Sequence, residues 1–198
     1  MKQKRDGKRL KVEYPSLEQM EDEIARLKYK KRYGSALRGT LYSLAVVAAI
    51  AILIATLWMP VLQITGTSMD PTLVDGQFVV ALKNSDFEIG DITAFYYNNK
   101  ILLKRVIGVS GDWIDIKADG TVYVNGKELD EPYIEEKSLG ECDITFPYQV
   151  PESRVFVMGD HRSVSIDSRS TSVGCIADEY IIGKVILRIW PWEAIGTI

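Results

Sequence analysis

The chain has 198 residues, 46% of them apolar, with 24 Lys and Arg against 27 Asp and Glu and a formal net charge of -3. That length holds one ordinary domain, or a small domain with an appendage, and the composition excludes collagen-like, low-complexity and wholly disordered chains. Two cysteines are too few for a disulfide scaffold, one histidine speaks against a His-rich zinc site, and the acidic balance disfavours a nucleic-acid partner.

The charge is unevenly placed. Residues 1–38 carry 12 basic and 6 acidic side chains, whereas the rest carries 12 basic and 21 acidic ones. Residues 1–14 are polar and basic and read as disordered. Pro15-Ser16 then opens a predicted helix to about residue 32: Ser16 and Gln19 have capping-box spacing, and Leu17, Met20, Ile24 and Leu27 form one apolar stripe. Such a helix suits the surface of a bilayer, with lysines toward anionic lipid. A partner-binding or self-associating helix is the other reading, although two heptads alone do not define a coiled coil.

Residues 41–62 contain no charge over 22 positions. As a helix they would span about 33 Å, enough for a hydrocarbon core of about 30 Å. Tyr42 and Trp58 sit near the two ends, where aromatic rings favour the interface, and Pro60 falls at the exit. A cleaved signal peptide would be shorter and nearer the N-terminus, so a retained anchor is expected. The basic excess before the anchor, including Lys28, Lys30, Lys31, Arg32 and Arg38, predicts a cytoplasmic N-terminus. The expected organisation is a cytoplasmic segment at 1–36, a transmembrane anchor at 37–62 and an extracytoplasmic domain at 63–198.

Beyond the anchor, β-branched and aromatic runs alternate with turn residues. Strands are predicted at 77–82, 92–97, 101–108, 113–118, 121–124, 154–158 and 184–190. Asp119-Gly120 and Asn125-Gly126 are predicted two-residue hairpin turns. No strand–helix–strand pattern is present, so the expected fold is mainly β with antiparallel sheets. Residues 113–152 read as a smaller subdomain or excursion, of which the acidic, proline-containing stretch 130–152 is irregular.

Three segments could carry chemistry. Lys104 lies within Ile101-Leu102-Leu103-Lys104-Arg105-Val106-Ile107, on the strand face of Leu102 and Val106. An ammonium among apolar side chains loses hydration and its pKa falls, which makes a general base; a snorkelling lysine is the plainer alternative. Ser68, in Thr67-Ser68-Met69-Asp70-Pro71-Thr72-Leu73, is a hydroxyl on a constrained turn. The only histidine, His161, lies in a polar turn, so a neutral lysine is the available base for it. The third segment runs from Gly159 to Arg169, with Asp167 and Arg169 spaced to pair across a strand face and Ser165 able to fix the lysine amine.

Taken together these segments resemble the bacterial type I signal peptidases, of the Gram-positive architecture with one short anchor. The family's nucleophile motif stands as Ser68-Met69-Asp70-Pro71-Thr72-Leu73 and its lysine motif as Lys104-Arg105-Val106-Ile107-Gly108 followed by Gly111-Asp112. Its last motif stands as Gly159 to Arg169, with lesser elements at Gly90-Asp91-Ile92 and Ile182-Gly183-Lys184. The resemblance implies a fold shared with signal peptidases and self-cleaving repressor proteases. It implies Ser68 as nucleophile and Lys104 as general base. Ser165 would orient the amine, and Asp160, Asp167, Arg105 and Arg169 would brace the site through ion pairs. It also implies preprotein signal peptides as substrates, cut after small residues of the Ala-x-Ala type, with the lipid bilayer as the other partner.

This sequence departs from the family pattern in places. His161 stands where Asn is usual and adds a titratable group, and Gly66 stands where some members have a serine that helps hold the oxyanion. Cys175 follows Gly174 where a Val-Pro element is common, and Cys142 and Cys175 could pair in an oxidising compartment. The Ser-Lys scheme needs no cofactor and no metal. A repressor protease would need a DNA-binding domain in place of the anchor. A non-catalytic membrane assembly factor would not need Ser68 and Lys104, and a plain adhesion domain would leave the lysine in its apolar strand unexplained.

Overall fold

The computed structural model describes residues 16–198, so the reading of residues 1–14 lies outside the described residues. Helix α1 (Leu17–Trp58) is a single element of 42 residues. Its capping box forms as the spacing predicts: Ser16 N–H donates to Gln19 Oε1 at 3.0 Å, and Gln19 N–H donates to Ser16 Oγ at 3.3 Å. The short helix and the anchor, expected as separate elements, are one. Residues 33–40 hold two glycines and no proline, and glycine costs a helix only about 1 kcal/mol each, too little to break the helix between its polar and apolar stretches.

The helix stops at Trp58, short of the predicted end of the apolar run. Pro60 has no N–H to continue it, and β1 (Val61–Gln63) leaves in extended form to pair antiparallel with β2 (Phe78–Leu82). The charge-free helical stretch is therefore residues 39–58, about 30 Å long and still matched to a hydrocarbon core.

Residues 53–198 form a separate compact unit. Its further strands are β3 (Ile92–Tyr97), β4 (Lys100–Gly108), β5 (Trp113–Ile116), β6 (Val122–Val124), β7 (Lys127–Glu128), β8 (Tyr148–Gln149), β9 (Arg154–Met158), β10 (Ile176–Ala177), β11 (Ile181–Trp190) and β12 (Gly196–Thr197). One sheet runs β1-β2-β11-β3-β4-β9-β10, with β12 on β11; a smaller one runs β7-β6-β5-β8. Every strand pair among the described residues is antiparallel. The fold is mainly β, as expected, and all seven predicted strands are present. The very short β1, β7, β8, β10 and β12 were not foreseen, because two or three residues leave no periodicity to read.

The hairpin turns differ from one another. Asn125 and Gly126 both take positive φ, 53° and 79°, as a two-residue turn of the predicted kind requires. At the other hairpin Asp119 does not. Its carboxylate accepts the Thr121 N–H at 2.9 Å, and Gly120 alone turns left-handed at φ 86°, so the loop is three residues, 118–120. A third turn, Asn98-Asn99 at φ 46° and 59°, joins β3 to β4 and fixes the register that sets Thr93 opposite Lys104.

Three apolar clusters hold the unit together. Ile64, Met69 and Leu73, before and after the nucleophile candidate, pack with Val79, Ala81, Ile92 and Val185. Phe95, Val106 and Val157 form a second cluster, and Ile107, Ile114, Phe156 and Met158 anchor a third between the two sheets. Residues 130–147, within the expected irregular stretch, contain no strand or helix.

Candidate active site

Packing brings the three chemical segments to one place. Met69 and Leu73 are 2% and 0% exposed, and these two anchors hold the turn that presents Ser68. Strand β4 delivers Lys104 from the other side. Lys104 is only 3% exposed, and its Nζ lies 2.6 Å from Ser68 Oγ. Burial lowers the Lys104 pKa to about 8; the Asp167 carboxylate opposes that shift, Arg169 adds to it and Asp160 opposes it.

Each arginine of the site has an acidic partner. Arg105, on the opposite face of β4 from Lys104, pairs with both oxygens of Asp160, through Nε at 2.8 Å and a terminal nitrogen at 2.6 Å. It also donates to Gly90 O at 2.7 Å and to Thr72 Oγ1 at 3.2 Å, and its guanidinium covers the Tyr133 ring at 3.8 Å. Arg169 pairs with Asp167 through Nε at 2.8 Å and a terminal nitrogen at 2.9 Å. The pairing was anticipated on a strand, but these residues lie in a turn, where Arg169 N–H also reaches Asp167 Oδ1 at 3.3 Å.

Ser165 sits beside Asp167. Its hydroxyl donates to Asp167 Oδ2 at 2.7 Å and makes no hydrogen bond to the Lys104 amine. The same Asp167 oxygen accepts the Gly159 N–H at 2.9 Å. Asp167 therefore gathers Gly159, Ser165 and Arg169 into one rigid turn. Gly159 is packed so closely that a Cβ there would strike Ser165 Oγ and the Ser68 carbonyl. That carbonyl is held by the His161 N–H at 3.1 Å, and His161 Nδ1 lies 3.3 Å from Thr67 O.

Composition and spacing did not reveal two supporting residues. Glu131, in the acidic irregular stretch, forms a fully buried ion pair with Arg162. Arg162 Nε in turn donates to Gly159 O at 3.1 Å, and Tyr133 donates to Glu131 Oε1 at 3.0 Å. In sequence Glu131 is one of many acidic residues in a loop; only a segment that folds back over the site makes it a buried partner. Cys142 and Cys175 are free thiols, and burial pushes the Cys175 thiol up to about 11. Among the described residues no group of three or more His, Cys, Asp or Glu side chains is arranged to hold a metal.

A half-buried hydroxyl against a buried amine of lowered pKa, on an antiparallel β scaffold, is the geometry that a hydrolase of the Ser-Lys class requires. Residues 37–190 match the family model described as signal peptidase, peptidase S26. Signal peptidase IB of Staphylococcus aureus (strain COL) is 38% identical over 172 residues, covering 76% of this chain and 88% of that one. Signal peptidase I of Bacillus licheniformis is 36% identical over 169 residues, covering 77% and 88%. A crystal structure of a signal peptidase I from Enterococcus faecalis V583 aligns at 29% identity with a TM-score of 0.42, over 50% of this chain and 97% of that one. The chain belongs to the signal peptidase family, peptidase S26.

Proposed function

We propose that this protein is a membrane-anchored serine endopeptidase that removes N-terminal signal peptides from exported preproteins, with Ser68 as nucleophile and Lys104 as general base. The observation that carries the reading is the 2.6 Å approach of the buried Lys104 amine to Ser68 Oγ. Family membership supports the substrate class.

In its neutral form the amine takes the Ser68 proton as Oγ attacks the scissile carbonyl. The Ser68 backbone N–H makes no hydrogen bond among the described residues, which leaves it available to the developing oxyanion. The ammonium then returns its proton to the leaving amine, and the regenerated base activates the water that releases the acyl-enzyme. Asp167 and Asp160 favour that transient ammonium electrostatically, while Arg105 and Arg169 hold the two carboxylates in place. Ser165 acts through Asp167 rather than on the amine.

The scaffold offers the substrate a backbone edge. β9 pairs with β4 only from Arg105 onward, so residues 100–104 have β3 on one side and no strand partner on the other. An extended peptide can add there as a strand, with its scissile bond delivered to Ser68. Small side chains before that bond, of the Ala-x-Ala kind, are the preference that family membership supports.

The bilayer is the second partner. Residues 39–58 of α1 are long and apolar enough to cross it, and the basic residues that precede them support a cytoplasmic N-terminus with the β unit outside. Enzyme and substrate then share a plane, which raises their effective concentration. The non-catalytic assembly-factor reading offers no reason for a buried amine to face a hydroxyl.

The test is incubation of the detergent-solubilised protein with a preprotein, read by mass spectrometry. A single cut after a small residue, lost in Ser68→Ala and in Lys104→Arg, is the expected result. Cleavage that survives either substitution would overturn the assignment.

A further inference from the structure

The exposed apolar stripe of α1 has no partner among the described residues. Leu17, Met20, Ile24 and Leu27 recur at steps of three and four, and all four are exposed. Lipid does not cover them. α1 continues without interruption to Trp58, and a helix that crosses a bilayer with residues 39–58 cannot also lie flat on its surface. Leu17 is 22 residues from Gly39, which places it about 33 Å along the axis.

Gly34 and Leu41 hold the second core position of the next heptads, and the apolar three-and-four step resumes at Ala45, Ala48, Ile52 and Ala55 within the apolar stretch. Inside a bilayer, small side chains are what let two helices approach closely. Leu17 and Ile24 then take the first core position of the heptad, and Met20 and Leu27 the second. Glu23 and Lys28 flank this seam on opposite sides, at positions that face each other between two parallel helices in register. Glu23 has only an exposed intrahelical neighbour, Arg26, at 3.8 Å, so it is not held elsewhere.

We propose that α1 pairs in parallel and in register with α1 of a second copy of this chain, through the Leu17–Met20–Ile24–Leu27 seam and reciprocal Glu23–Lys28 pairs. The inference rests on the membrane anchoring within the function proposed above. Insertion supplies what two heptads cannot. Both copies enter with the same polarity and depth, so parallel orientation and register are set in advance, and confinement raises their effective concentration. Lys31 and Arg38 occupy the first core position in the following heptads; charge there costs stability and ends the tight seam. The pairing is therefore weak and reversible, and it lies on the opposite side of the bilayer from the peptidase unit.

The full chain in lipid vesicles tests this, with Cys142 and Cys175 replaced by Ser and one cysteine introduced on α1. Oxidation should cross-link Ile24→Cys into dimers and leave Asp22→Cys, on the opposite face, monomeric. In the Ile24→Cys background Glu23→Lys or Lys28→Glu should each cut the cross-linked yield about threefold, since each exchanges an attraction for a repulsion. The combined Glu23→Lys/Lys28→Glu swap should restore it. Equal yields at positions 22 and 24, no dimer at any protein-to-lipid ratio, or a swap that fails to restore the yield would overturn the proposal. Preprotein cleavage measured on the same vesicles keeps the two readings apart. Cleavage by a strictly monomeric protein sinks the pairing alone, and dimers that do not cleave sink the peptidase assignment alone.

Discussion

Lys104 concentrates the chemistry into one side chain. Burial brings its pKa to about 8, so below that pH the amine holds a proton and cannot accept another from Ser68. kcat/KM should therefore fall about tenfold per pH unit below about 8 and level off above it, in a pH–rate profile on a peptide substrate. A profile flat down to pH 6 would contradict the role. The same shift bears on stability. The unfolded lysine keeps its proton to about 10.5, so between 8 and 10.5 the unfolded chain binds more protons and stability rises with pH. Lys104→Arg cannot release its proton and should abolish detectable turnover with the fold intact by circular dichroism. Gly159→Ala should also cost about 10²-fold in kcat, because the new methyl displaces the Ser68 carbonyl and Ser165 hydroxyl. At this scale the sequence was partly informative: a lysine inside an apolar strand and a serine before Met-Asp-Pro-Thr each had a plain reading alone, and only their joint resemblance to a family's motifs pointed to chemistry. The role of Ser165 was not legible, since hydroxyls at one spacing can serve Lys104 or Asp167, and only the turn's geometry selects Asp167.

Among elements, the irregular segment between β7 and β8 matters more than its composition suggests. It places Glu131 against Arg162 and Tyr133 against Arg105, so a loop without regular structure staples two arginines of the active-site region. Breaking one side should be costlier than removing both. Glu131→Leu leaves a buried guanidinium without its counter-charge and should destabilise by about 3–5 kcal/mol, whereas Glu131→Leu with Arg162→Met should recover much of that loss. Urea unfolding of the detergent-solubilised chain measures both. Recovery of stability without recovery of kcat would show that Arg162 also positions Gly159, whose carbonyl it holds. Long strands were readable because alternation repeats over them. The partnership of Glu131 with Arg162 was not, because 31 residues of chain separate them and nothing local marks either.

For the whole molecule, the chain divides by charge as well as by structure: a basic helix and an acidic β unit stand on either side of an uncharged stretch. If the basic residues set orientation, replacing Lys28, Lys30, Lys31, Arg32 and Arg38 by neutral side chains should produce a population with the β unit on the wrong side. Protease protection in sealed vesicles reads that population directly, and an unchanged orientation would remove the charge argument.

The amino-acid sequence by itself determined the β class and the uncharged span, which are written in local patterns of hydropathy and charge. Ser68 and Lys104 came forward only through motifs that resemble a known family. Only the tertiary structure decided that the N-terminal helix and the span are one element, that Ser165 serves Asp167, and that Glu131 guards Arg162. Those outcomes turn on whether distant segments meet and whether a helix finds a reason to break. Local propensities of a fraction of a kcal/mol do not settle such questions, but burial and close packing do.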